Sequence, residues 1–247
     1  MVRLLPSGRS LLVGFAIVFA AVGLYVLARS TPMFALGEVE VVGAPPSVAA
    51  HVRSALAPVE GQSLLALDAA EIERRLAVLP DVAAATYDRD FPHTLRVAVR
   101  PEHPVAVARR GTKAWIVAAS TRAITAVPPR THLGLPRVWL AHSGEPAVGT
   151  AIEDRFALRS VRALAFARLA HFKGRIRMVR AKEQDLTFLL ASGLELRLGD
   201  LRAVPLKLAV ASRVIPGLLS RGGYLYLDVS VPERPVAGTT IDPQPEP

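Results

Sequence analysis

Cysteine is absent from this 247-residue chain, and aromatic residues make up only 6% of it. Without cysteine the chain can form no disulfide, no cysteine-ligated zinc or iron–sulfur site and no cysteine nucleophile. Glycine and proline, at 17 and 20 residues, are too few for a low-complexity protein, whereas 51% of the residues are hydrophobic. The composition therefore indicates a folded protein of about one or two domains.

The motifs of common enzyme active sites are missing as well. The sequence has no Gly-x-Ser-x-Gly elbow, no Walker phosphate loop and no Gly-x-Gly-x-x-Gly turn. Its six histidines never occur at the i, i+4 spacing of a helical zinc site. We therefore predict that the protein is not an enzyme and uses no cofactor, no metal and no small-molecule substrate.

One long apolar run stands near the N-terminus. It starts at Leu11 and ends at Ala28, within 19 uncharged residues between Arg9 and Arg29. As a helix this stretch spans roughly 28 Å, close to the thickness of the hydrocarbon core of a bilayer. The run predicts a transmembrane helix over 11–28. Alternatively it is the core of a cleaved signal peptide, because the small residue Ala28 stands where a peptidase could cut.

The charges that flank this run predict its orientation. Arg3, Arg9 and the terminal amine precede it, and only Arg29 follows immediately. By the positive-inside rule, residues 1–10 lie in the cytoplasm, and the chain beyond a short linker at 29–33 is extracytoplasmic. This is a single-pass type II topology in the cytoplasmic membrane. The net charge of +9 would suit nucleic acid, but this topology argues against such a partner.

Residues 34–104 read as a small domain with the order β-α-α-β-β. Alternating side chains predict strands at 38–42, 82–87 and 95–99. Helical spacing of apolar residues predicts one helix with Ser47 as its N-cap and a second with Asp68 as its N-cap, where Glu71 completes a capping box. We therefore expect an α+β domain.

Five segments in this order resemble the FtsQ/DivIB family of bacterial cell division proteins and its POTRA domain. They occupy residues 39–43, 61–68, 79–82, 89–95 and 102–106. The resemblance implies a membrane-anchored, non-catalytic scaffold of the divisome at the division septum. It also implies FtsB/FtsL-type division proteins as partners.

The remainder is similar to the β-domain of that family. Strand patterns and two helical patterns predict a mixed sheet with two helices over 105–231. The second helix is predicted to begin after Asp200 as N-cap and to stop at Pro216. The proline-rich residues 232–247 are predicted to be a disordered tail.

Positive charge is concentrated between residues 155 and 182, where no acidic residue occurs. The predicted basic patch comprises Arg155, Arg159, Arg162, Lys173, Arg175, Arg177 and Arg180. Three of these, at 155, 159 and 162, share a helix face. The patch is either an ordinary solvated face or a surface for anionic lipid, cell-wall polymer or an acidic partner.

The last predicted strand is the candidate partner site. It comprises Tyr224, Leu225, Tyr226, Leu227, Asp228 and Val229, of which the leucines and valine should face the core. As the final strand it is expected at a sheet edge, where its free N–H and C=O groups could accept a partner strand. The alternative is an internal strand.

Two functions thus remain open at this point. The favoured one is the divisome scaffold that links FtsB/FtsL-type proteins. The other is a membrane-anchored extracytoplasmic enzyme or binding protein of the cell envelope.

The predicted topology can be tested directly in cells. Protease added to spheroplasts should digest residues 30–247, and the intact protein should fractionate with the membrane. A mature chain that begins near Arg29 would show instead that the apolar run is a cleaved signal peptide.

Overall fold

The computed structural model describes residues 8–30, 32–129, 134–141, 144–183 and 185–240, with the side chains of the first helix described over 12–27. The chain divides into two compact units, Met1–Pro101 and Glu102–Pro247. The units meet in sequence at 101 rather than at the predicted boundary of 104. Each unit has its own hydrophobic core.

The first helix, α1, runs Gly8–Ser30. Its described apolar side chains are exposed, as in Phe19 at 81% and Leu12 at 71%. None of the helices, as far as their residues are described, has both the length and the hydropathy to cross a membrane. The membrane helix at 11–28 stays a prediction, and residues 1–7 of the predicted cytoplasmic segment lie outside the described residues.

The remainder of the first unit has the predicted order β-α-α-β-β. Its elements are a 3-10 helix Pro32–Phe34, β1 Glu38–Val42, α2 Pro46–Leu56, a 3-10 helix Ala57–Val59, α3 Ala69–Ala77, β2 Val82–Asp90 and β3 Thr94–Pro101. The sheet order is β1-β3-β2, with β1 parallel and β2 antiparallel to β3. Val52, Leu56 and Ile72 of the helices pack with Leu95 and Val97 of β3 to form the core.

One of the two predicted helix caps in this unit is confirmed. The Asp68 carboxylate accepts the Ala70 N–H at 3.0 Å and caps α3. The other prediction was wrong, because α2 begins at Pro46 and has Pro45 rather than Ser47 as its N-cap. A proline fits the first turn of a helix since its missing N–H would have had no partner there.

The second unit contains a mixed sheet and two helices, as expected from the sequence. Its elements are β4 Pro104–Arg110, β5 Lys113–Ala118, β6 Ala123–Val127, β7 Arg137–Trp139, α4 Arg155–Leu169, β8 Ile176–Ala181, β9 Leu186–Leu190, β10 Glu195–Arg197, α5 Val204–Arg221, β11 Tyr226–Asp228 and β12 Val236–Gly238. The nine strands have the order β12-β11-β10-β9-β8-β7-β4-β5-β6. The pairs β4/β7, β7/β8 and β10/β11 are parallel.

Helix α4 packs against β4, β7 and β8, and α5 packs against α4. The α4 side buried in the core consists largely of small or branched residues such as Ala157, Val161 and Leu164. Asp154, which is itself buried, caps α4 by accepting the N–H groups of Phe156 and Ala157, both at 3.0 Å. This cap satisfies two of the donors that the first turn would otherwise leave unpaired.

The structure corrects both predicted ends of α5. The N-cap is Ala203, and Asp200 lies before the helix. The helix continues through Pro216 to Arg221, because Ile215 and Leu218 on either side of the exposed proline are both buried in the core. Tertiary packing therefore outweighs the loss of one helical hydrogen bond at this position.

The predicted disordered tail at 232–247 was also wrong for its first part. Val236–Gly238 forms β12, which pairs antiparallel with β11. Pro235 precedes the strand and does not interrupt the pairing. Residues 241–247 lie outside the described residues.

Asp200 has a role other than the predicted cap. The buried Lys207 ammonium donates to the Asp200 carboxylate at 2.8 Å, to the Leu198 carbonyl at 2.8 Å and to the Asp200 carbonyl at 3.1 Å. The hydrogen bond from Lys207 lowers the pKa of Asp200. Lys207 therefore ties the start of α5 to the end of β10.

We expect Lys207→Met to lower the free energy of unfolding by about 2 kcal/mol, because it keeps the alkyl packing but leaves buried carbonyls without a donor. The control is Arg202→Met, which removes an exposed partner of the same carboxylate and should cost less than about 0.5 kcal/mol. Urea unfolding followed by tryptophan fluorescence reports on this unit alone, since both tryptophans, Trp115 and Trp139, lie in it. Because the folded pKa of Asp200 is lowered, the part of this stabilisation that comes from the Lys207–Asp200 ion pair should be fully present well above about pH 4 and should be lost as pH falls through the folded pKa, whereas the hydrogen bonds of Lys207 to the two carbonyls remain.

Candidate functional site

The predicted partner strand is not the edge of its sheet. Strand β11 lies between β10 and β12, so the edge position expected for residues 224–229 was wrong. The edge is β12, which pairs with β11 through the register Tyr226↔Gly238 and Asp228↔Val236. A three-residue strand after a proline has too short a pattern to be recognised in the sequence.

The backbone of β12 presents free hydrogen-bonding groups. On the other side of β11, the Glu195 N–H donates to the Leu225 carbonyl and the Val229 N–H donates to the Arg197 carbonyl, both at 2.9 Å. In this parallel pattern the N–H and C=O of Leu227 also point to β10. Because successive residues of a strand direct these groups to opposite sides, the N–H and C=O of Tyr226 and Asp228 point to β12. Their antiparallel partners Val236 and Gly238 point back to β11. The N–H and C=O of Ala237 therefore point outward from the sheet.

Tyr226 covers this edge on the outer face of the sheet. The guanidinium carbon of Arg197 lies 4.0 Å from the centroid of the Tyr226 ring, a cation–π contact. On β12 the ring lies over Gly238, where a Cβ atom would be only 2.4 Å from Cε1 of the tyrosine. Gly238 is thus required for the close approach of the ring to the edge strand.

The burial of the other residues of the predicted site agrees only in part with the prediction. Leu227 and Val229 are buried as predicted, whereas Leu225 is 42% exposed and Tyr224 packs against the core. The reason is that residues 224 and 225 precede β11, so the alternation of a strand does not extend to them.

The opposite edge of the same sheet is partly covered. The Ala123 N–H at the start of β6 donates to the Thr150 carbonyl at 2.8 Å, and the Gly149 N–H donates to the Ala123 carbonyl at 2.7 Å. In the first unit, β2 forms a nine-residue edge. Among the described residues, the edge strands are therefore β12 and the partly covered β6 in the second unit, and β1 and β2 in the first.

The predicted basic patch is divided in the structure. Arg155 pairs with Glu183, Arg159 donates to the carbonyls of Lys182 and Glu183, and Arg180 pairs with Glu195 at 2.9 Å. Arg159 therefore holds the connection between β8 and β9, which the sequence did not indicate. These contacts show that part of the predicted patch has a local structural role.

Two of the remaining arginines of the predicted patch border a cavity at the other end of β8. Arg175 and Arg177 line it together with Arg168, and Arg137 of β7 joins them from outside the predicted patch. Arg168, Arg175 and Arg177 are exposed at the rim of this cavity, and Arg162 and Lys173 are exposed without lining it. The side chains of the described residues bring no three potential metal ligands together.

Known proteins have sequence similarity to both units of this chain. The sequence model of a family described as "POTRA domain, FtsQ-type" matches residues 34–100. A protein of Myxococcus fulvus named "Cell division protein FtsQ" is 30% identical over 173 residues, which are 69% of this chain and 61% of the relative. The match thus spans about three fifths of the length of that relative.

We expect Gly238→Ala to destabilise the second unit by about 0.5–1 kcal/mol, because the new methyl group displaces the half-buried Tyr226 ring from Arg197. Urea unfolding followed by tryptophan fluorescence measures this cost. In a Tyr226→Ala background the same glycine substitution should be nearly neutral, since the obstacle is gone. An equal cost in both backgrounds would contradict the assigned contact.

Proposed function

Because the chain belongs to the FtsQ family of cell division proteins, we propose that it acts in the bacterial divisome as a non-catalytic membrane scaffold. Its partners are FtsB/FtsL-type division proteins, and it acts at the division septum. The observation that carries this proposal is the outward-facing backbone of Ala237 on the edge strand β12. It supports binding by strand addition, a mode that needs backbone pairing rather than a catalytic pocket.

The side chains around this edge suit a protein interface. Tyrosine and arginine are enriched among the residues that dominate binding energies, and here Tyr226 and Arg197 are already stacked on each other. Such a pair presents a rigid surface, so little side-chain entropy is lost on binding. The exposed side chains of Leu225 and Val236 add apolar area beside it.

A partner segment added to β12 would continue the sheet as a tenth strand. Its backbone would pair with the N–H and C=O of Ala237, and every second side chain would face Tyr226 and Arg197. The three-residue length of β12 limits the number of backbone bonds. We therefore infer that the partner also contacts the outer face of β11 and β10, where Asp228 and Glu195 are half-buried.

The membrane anchor is the second part of the proposal. We infer that residues 11–28 cross the cytoplasmic membrane once, with the N-terminus inside and both folded units extracytoplasmic. The apolar side chains of α1 between 12 and 27 support this, since they are exposed in the isolated chain and would be covered by lipid. Tethering would also raise the effective concentration of the scaffold toward membrane-bound partners.

Strand addition can be tested at the outward N–H of Ala237. We expect Ala237→Pro to weaken binding of the soluble region of an FtsB/FtsL-type partner by about tenfold, because proline removes that donor but leaves the Val236 and Gly238 bonds to β11. Isothermal titration calorimetry of the full chain in detergent micelles measures the affinity.

The matched control is Ala237→Ser, which keeps the N–H and should bind like the native chain. Circular dichroism and tryptophan fluorescence verify that the proline variant is folded. Full-strength binding by folded Ala237→Pro would exclude strand addition at β12, and the β2 edge of the first unit would then be the next surface to test.

A further inference from the structure

We propose that the cavity at the junction of α4 and β8 binds a phosphate-bearing ligand through four arginines. Arg137, Arg168, Arg175 and Arg177 border a cavity of about 750 Å³, a size typical of small-molecule sites. Its apolar lining includes Val105, Phe172 and Met178. No aspartate or glutamate is among the described residues that line it.

The topology of the sheet explains why these four side chains meet. Strands β4, β7 and β8 are parallel, so their first residues lie at one end of the sheet. Helix α4 carries the chain from the far end of β7 back to the start of β8. Arg168 in the last turn of α4, Arg137 at the start of β7, and Arg175 and Arg177 around the start of β8 therefore converge.

The connection between α4 and β8 is held in place by backbone contacts. The N–H groups of His171 and Phe172 donate to the Arg168 and Ala167 carbonyls at 3.0 and 2.9 Å. The Ala191 N–H donates to the Arg175 carbonyl at 2.7 Å. The Phe172 ring lies so close to Gly174 that a Cβ there would be 2.4 Å from the ring, so this position admits only glycine without rearrangement. The arginines thus extend from an ordered backbone.

The pairing of these arginines differs from that of their neighbours in the sequence. Arg155 and Arg180 each have a carboxylate partner. Within the described part of the chain, Arg137, Arg175 and Arg177 take part in no ion pair, and Arg168 contacts only the Pro104 carbonyl, at 3.5 Å. Several cations that face one cavity without a counter-charge repel each other, and a polyanion would relieve that repulsion.

Phosphate groups fit this arrangement best. A guanidinium donates two parallel hydrogen bonds to the oxygens of one phosphate, and a diphosphate presents enough oxygens and charge for several arginines at once. The site lies four strand spacings from β12, roughly 19 Å across the sheet, so it is separate from the proposed partner edge. A soluble phosphate ester or the phosphate of a lipid headgroup would both supply this chemistry.

The test uses pyrophosphate as the probe and the full chain in nonionic detergent micelles. We expect calorimetry to show saturable binding that Arg175→Gln/Arg177→Gln weakens at least about tenfold. The control Arg155→Gln/Arg162→Gln removes the same charge from the same segment and should change the affinity less than about twofold. Tryptophan fluorescence verifies folding, and Arg168→Gln/Arg177→Gln is a second variant if the first is unstable.

A second arm distinguishes the two sources of phosphate. In nanodiscs of phosphatidylglycerol, but not of phosphatidylcholine, a lipid ligand would protect the amides of residues 172–178 from hydrogen exchange, and the Arg175→Gln/Arg177→Gln variant would lose this protection. Pyrophosphate binding without that protection identifies a soluble ligand. The proposal is overturned if neither probe binds, or if the control variant weakens binding as much as the cavity variant does.

Discussion

The packing of α4 against the parallel strands β4, β7 and β8 is the constraint on which the second unit depends. The residues of α4 that face the core are small or compact, with Ala157, Ala163 and Ala167 among them. Short side chains let the helix lie close to the sheet, so dispersion contacts and apolar burial are gained along its whole length. Because parallel strands need a crossover, the same helix also determines which strand ends meet.

Buried polar groups consolidate the ends of the two helices in this unit. Asp154 caps α4, the Ser160 hydroxyl donates to the Phe156 carbonyl at 2.9 Å, and Lys207 links α5 to the end of β10. Asp154 and Lys207 satisfy backbone groups that would otherwise lack partners, and Ser160 satisfies its own buried hydroxyl. The buried polar residues therefore serve the fold, whereas Arg137, Arg175 and Arg177 border the cavity without a carboxylate partner among the described residues.

The two surfaces proposed to bind ligands have different physical origins. The β12 edge is a property of the backbone, since any terminal strand exposes N–H and C=O groups. A short edge strand after a proline protects a sheet from unwanted pairing, so a specific partner must also use the stacked Tyr226 and Arg197. Ligand binding at the cavity depends instead on charge, because the crossover brings together arginine side chains whose mutual repulsion a bound anion would reduce.

Local patterns in the sequence determined much of this protein. The α+β class, the element order of the first unit, the Asp68 cap and the mixed sheet with two helices in the second unit all follow from short-range periodicity and capping chemistry, and five motifs indicated the family. Only the tertiary structure decided which strand is the edge, because β12, at three residues, is too short to show a period. It likewise decided that Arg137 joins Arg168, Arg175 and Arg177 while Arg155, Arg159 and Arg180 contact other groups. The physical reason is that strand order and side-chain convergence depend on pairing between distant segments, which the pattern within any one segment does not encode.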